Sequence, residues 1–63
     1  MNDTSDIDKG MWLIQRFLFG NRQEFWDNLF DRWGDRDHAT RFRDDERKVI
    51  KLPYGGMWAK ADQ

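Results

Sequence analysis

MWLIQRFLFGNRQEFWDNLFDRWG, residues 11–34, carries seven of the ten aromatic residues of this 63-residue chain, and its periodicity decides the fold. Apolar side chains recur at Ile7, Met11, Ile14 and Leu18, with Leu13 and Phe17 beside them, which is helical spacing. Ser5 or Asp6 supplies an N-cap, and Asp8 suits the positive end of a helix dipole. Gly20 stands where a helix ends on a left-handed residue, and Asn21 with Glu24 three positions later opens the next one. Phe25, Trp26, Leu29, Phe30 and Trp33 then make one apolar stripe before Gly34 stops the run. The expectation is a mainly α fold, a small αα-hairpin with helices at about 7–19 and 22–33. Its first helix is apolar on more than one side, because Trp12 and Phe19 lie away from the main stripe.

Working outward, residues 1–6 read as a polar, flexible leader and 7–63 as a single small domain. The hairpin at 7–33 is followed by a charged linker, 34–48, and an extended or short-β arm, 49–63. In the linker, Arg41–Lys48 has one large apolar residue in eight, Phe42, too few to give a helix a core face. Val49 and Ile50 are β-branched and Pro53 disfavours helix at Leu52, so this stretch reads as extended.

A chain this short seldom gains more than about 3–5 kcal/mol from its own core and usually needs disulfides, a metal or a partner. Having no Cys, it forms no disulfide and no Cys-ligated zinc site. Eleven Lys and Arg against twelve Asp and Glu exclude a globally basic nucleic-acid footprint and a strongly acidic mimic of one. The acidic start, Asn2-Asp3-Thr4-Ser5-Asp6, is unlike a secretory signal, and no apolar run approaches the roughly 20 residues that span a bilayer. A cytoplasmic location, or one inside a larger assembly, is expected.

Catalytic chemistry finds little material. The only Ser is Ser5 in the leader and the only His is His38, so a nucleophile–imidazole pair is not expected. Asp35, Asp37 and His38 have metal-ligand chemistry but lack the glycine and later Glu of a calcium loop. Asp44, Asp45 and Glu46 sit among Arg41, Arg43, Arg47 and Lys48, a pattern of surface ion pairs. Gly55-Gly56 opens no helix and is no phosphate loop. No enzyme activity, metal or cofactor is expected.

Trp, Tyr, Phe, Met and Arg are the residue types enriched at interface cores, and this chain is dense in them. The expected function is therefore non-catalytic protein binding: docking on a larger protein or assembly as an accessory subunit, adaptor or inhibitor, or self-association. Proteins of this size and kind are frequent in phages and mobile elements. The stripe Phe25, Trp26, Leu29, Phe30 and Trp33 has an internal use as a helix core. Trp12, Phe19, Tyr54, Met57 and Trp58 are left as candidate anchors, and Arg41, Arg43 and Arg47 as partners for acidic groups. Two alternatives are nucleic-acid binding by the basic stretch Arg41–Lys51, whose sum is only +2, and peripheral attachment to a membrane surface.

Overall fold

The computed structural model describes residues 9–62. Within them the chain is a four-stranded antiparallel sheet: β1 is Trp12–Leu18, β2 Arg22–Asp27, β3 Arg32–Gly34 and β4 Met57–Lys60. The strand order β3-β2-β1-β4 puts the two longest strands at the centre. A single α-helical turn, α1 at Asp44–Arg47, and 3₁₀ turns at Phe19–Asn21 and Arg36–His38 complete the regular structure of the described residues.

This overturns the mainly α reading and its helical hairpin at 7–19 and 22–33. The reason lies at Gly20-Asn21. Both residues are left-handed, with φ of 73° and 63°, so Asn21 does not take the extended backbone of a helix N-cap and no second helix starts there. Together they reverse the chain within three residues and set Leu18 opposite Arg22. Helix-like spacing arises because β1 is covered on both faces over its first half. Neighbouring apolar residues there serve opposite faces, and the period of two disappears from the sequence. Phe25 and Trp26 likewise point to opposite sides of β2, while Leu29 and Phe30 fall in the exposed β2–β3 turn. Asp27 builds that turn: its carboxylate accepts from the N–H groups of Leu29 (3.0 Å) and Phe30 (3.3 Å).

The leader assigned to 1–6, with Ile7, lies outside the described residues. The stretch read as a linker carries the Arg36–His38 turn, Phe42 and α1. The stretch read as an arm ends in β4, which pairs with β1 from Trp12↔Lys60 to Gln15↔Met57.

Register sorts the side chains. Trp26 lies opposite Trp33, Ile14 opposite Trp58, and Trp12 opposite Lys60 and Phe42, so all four tryptophans share one face with Ile14 and Phe42. Trp26 and Trp33 meet edge-on at 5.1 Å, as do Phe42 and Trp58 at 5.4 Å. On the opposite face Leu13, Phe25, Ala39 and Ala61 form a small buried cluster with Met11 against it.

Beyond Gln15↔Phe25 the strands β1 and β2 separate, and residues 40–42 take the space between them. Thr40 N–H donates to the Trp26 carbonyl (3.1 Å), and Phe42 exchanges two main-chain bonds with Trp12 (2.7 and 2.8 Å). The first half of β1 is thus flanked by Phe42 and β4, and Leu13 and Ile14 are 0% exposed. Among the described residues no helix is long and apolar enough to cross a membrane.

Candidate functional site

The residues singled out from sequence divide into an internal group and an external one. Trp12 and Trp58 are half-buried on the tryptophan face. Trp58 packs against Phe42, and the guanidinium of Arg47 lies 4.3 Å from the Trp12 ring centroid, with Lys60 at 5.9 Å. These rings hold the molecule together. Phe19 and Tyr54, by contrast, are each 99% exposed, and Met57 is exposed on β4.

The three arginines are occupied. Arg41 donates to the carbonyl of Ala39 at 3.0 Å. Arg43 meets Asp45 at 3.3 Å, and its own backbone N–H donates to Glu46 at 2.8 Å, which starts α1. Arg47 reaches Asp44 at 2.8 Å, and Lys48 reaches the other oxygen of Asp44 at 3.6 Å. Hydrogen bonding from Arg47 lowers the Asp44 carboxyl below its ordinary range. The acidic triplet and the basic residues around it therefore neutralise one another on α1.

Two surface depressions contain polar groups. One is lined by Gly10, Met11, Trp12, Asp44, Lys60 and Asp62, the other by Asp27, Arg32, Trp33, Gly34, Asp35 and His38. In the second, Asp27 is committed to the β2–β3 turn. Asp35 accepts from His38 at 2.6 Å, a bond that raises His38 above the usual imidazole range and lowers Asp35. Among the described residues no group of three His, Cys, Asp or Glu side chains is placed to hold a metal ion. Ser5 lies outside the described residues.

What the fold does assemble is an apolar tip. The β1–β2 hairpin extends past the covered part of the sheet, and Phe17, Leu18 and Phe19 are all exposed on it, together with Arg22 opposite Leu18. Met57 lies opposite Gln15, one position diagonally from Phe17 on the same face. The stem is held by Arg16, which pairs with Glu24 at 2.6 Å and lies 4.4 Å from the centroid of Trp33. Gln15 and Gln23 share a side-chain bond of 2.6 Å.

The sequence alone puts Phe19 and Met57 among the candidate anchors and Phe17 and Leu18 in a helix stripe, whereas all four are exposed. It also puts Leu29 and Phe30 in an internal core, and both are exposed. The signal for Phe17 and Leu18 was Gly20-Asn21, which reads equally well as a hairpin turn between two apolar runs. No protein-family model, no curated protein and no solved structure matches this chain.

Proposed function

We propose that this chain is a non-catalytic docking module that binds a larger protein through the tip of its β1–β2 hairpin, with Phe17, Leu18 and Phe19 as the apolar contact and Met57 beside them. The observation that carries this reading is the exposure of three consecutive large apolar side chains on a stem fixed by cross-strand bonds and a buried base. Presenting them to water has no benefit for folding, and a pre-ordered aromatic knob loses little conformational freedom on binding. Tyr54, fully exposed ahead of β4, is a further contact. The alternative of nucleic-acid binding by Arg41–Lys51 has less support, since Arg43, Arg47 and Lys48 are already paired with the acids of α1.

The test replaces Phe19 with a photo-reactive phenylalanine analogue and irradiates the chain in extract of the cells that make it. A discrete covalent adduct with one protein is expected, absent when the same group is placed at Asp45 on α1. No adduct, or the same adducts from both positions, overturns the reading.

A further inference from the structure

The tip offers main-chain groups as well as side chains. Successive residues of an antiparallel strand direct their N–H and C=O alternately to the two neighbours. Met11 accepts from the N–H of Ala61, on the β4 side, and Trp12 bonds Phe42 on the opposite side. Leu13, Gln15 and Phe17 therefore direct their main-chain groups toward β4. β4 starts at Met57, opposite Gln15, and the chain ahead of it turns away: Gly56 N–H donates to the Pro53 carbonyl at 2.9 Å and Gly55 takes φ of 82°. Nothing in the described residues continues the line of β4 alongside Phe17. An open edge of this kind is usually shielded by charge, a bulge or a covering loop. Here it is flanked by exposed Phe17 on one face and Leu18 on the other.

We propose that this edge of β1 is a strand-addition site, at which an extended segment of the partner protein continues the line of β4 and exchanges main-chain bonds with Phe17. The inference rests on the docking reading and specifies its mode. Charge gives the segment its chemistry. Arg16 is held by Glu24, while Arg22, opposite Leu18, has no acidic partner among the described residues. The hairpin tip thus presents one uncompensated cation beside an apolar edge. The matching segment is extended and apolar where it faces Phe17, with an acidic side chain on the side of Leu18 and Arg22. Main-chain bonds supply affinity and the alternating side chains supply selectivity.

The chain is short enough for chemical synthesis, which allows the Phe17 amide to be N-methylated with every side chain kept. The probe is a displayed library of random twelve-residue peptides selected on the unmodified chain. Enriched peptides are expected to carry apolar residues alternating with an acid. They should bind the N-methylated chain at least about tenfold more weakly, the size of one lost hydrogen bond plus a methyl clash. Tryptophan fluorescence reports whether the methylated chain has folded. In the unmodified chain, hydrogen exchange gives an independent readout: the Phe17 amide should exchange freely alone and slow about tenfold with bound peptide. Peptides that bind both chains equally, or leave Phe17 unprotected, overturn strand addition. Protection of Phe17 that grows with chain concentration assigns the edge to a second copy and overturns a foreign partner. Failure to enrich any peptide, with binding to phosphatidylglycerol vesicles instead, gives the tip to a membrane surface. The docking reading is judged separately by the adduct at position 19, where the Phe17 main chain has no part.

Discussion

The two halves of β1 are comparably apolar and have opposite fates. In Trp12–Gln15, Trp12 is bridged to Phe42 on one side, all four residues pair with β4 on the other, and Leu13 and Ile14 are covered on both faces. Arg16–Leu18 has β2 on one side only, and Phe17 and Leu18 are exposed. Apolar content does not separate them. What separates them is reach: residues 36–61 suffice to wrap one end of the sheet, with Arg36 stacked toward Phe25 and hydrogen-bonded to the Ala61 carbonyl, and Arg47 over Trp12. The other end is left uncovered among the described residues.

The sharpest way to break this comparison is to truncate one residue in each half. Leu13→Ala should cost about 2–5 kcal/mol, because the site is closed on all sides and cannot collapse onto the void. That is comparable with the whole stability of a domain this small, so the variant should unfold near room temperature. Phe19→Ala should stay within about 0.5 kcal/mol of the parent. Urea unfolding followed by tryptophan fluorescence reads both. Similar losses would mean that the tip is packed in solution and the division between the halves is wrong.

Glycines at the two ends sharpen the contrast, since they fail for different reasons. A Cβ on Gly56 would lie 2.8 Å from Ile14 Cγ2, 3.1 Å from the Pro53 carbonyl oxygen and 3.2 Å from Trp33 Cη2. Ile14 is β-branched and enclosed and cannot turn aside, so Gly56→Ala should destabilise by about 1–3 kcal/mol through overpacking. A Cβ on Gly20 meets nothing within 4 Å, but φ is +73°. Gly20→Ala should therefore cost about 1–2 kcal/mol from backbone strain alone. D-alanine, which prefers positive φ, should be tolerated at 20, and a large loss with D-alanine there would show that space also limits the tip.

These two positions also show how far the fold was legible in the sequence. Gly20-Asn21 reads in the sequence as the joint between two helices and is instead the turn of a β-hairpin. A left-handed glycine ends helices and closes hairpins alike, so local chemistry could not choose between them. The choice rests on a long-range fact, that residues 40–61 return to cover both faces and so remove the alternation that identifies a strand. Val49–Leu52 reads as extended from β-branching and Pro53, but the N–H groups of Val49 and Ile50 both donate to the Glu46 carbonyl (3.1 and 2.9 Å) and continue the turn of α1 instead. Among the residues of the proposed contact, Phe19 and Met57 stand out in the sequence because composition marks them as surplus, and both are exposed. Trp12 and Trp58 were marked on the same ground, yet each has its partner more than ten residues away, Arg47 and Phe42. Leu29 and Phe30 were lost to a helical stripe that Asp27 interrupts with a turn.

The smallest expected effect lies in the cover of the base. The turn Arg36–His38 is capped by Asp35, which accepts from His38 through both the ring, at 2.6 Å, and the backbone N–H, at 3.3 Å. The ring bond raises His38 from its ordinary 6.5 and lowers Asp35 from 3.8. A raised imidazole stabilises the fold fully below about pH 6.5, and this is lost as pH rises through the higher folded value. A lowered carboxyl stabilises above about 3.8, and this is lost as pH falls through the lower folded value. The pair therefore contributes most between those limits. Because both groups are exposed, the contribution is small and should shrink with added salt. Proton NMR should place the His38 titration above 6.5 in the parent and lower it in Asp35→Asn. The amides of Leu18 and Arg22, at the uncovered end, should not follow that titration. A His38 midpoint at or below 6.5 would mean the ring bond is not made in solution.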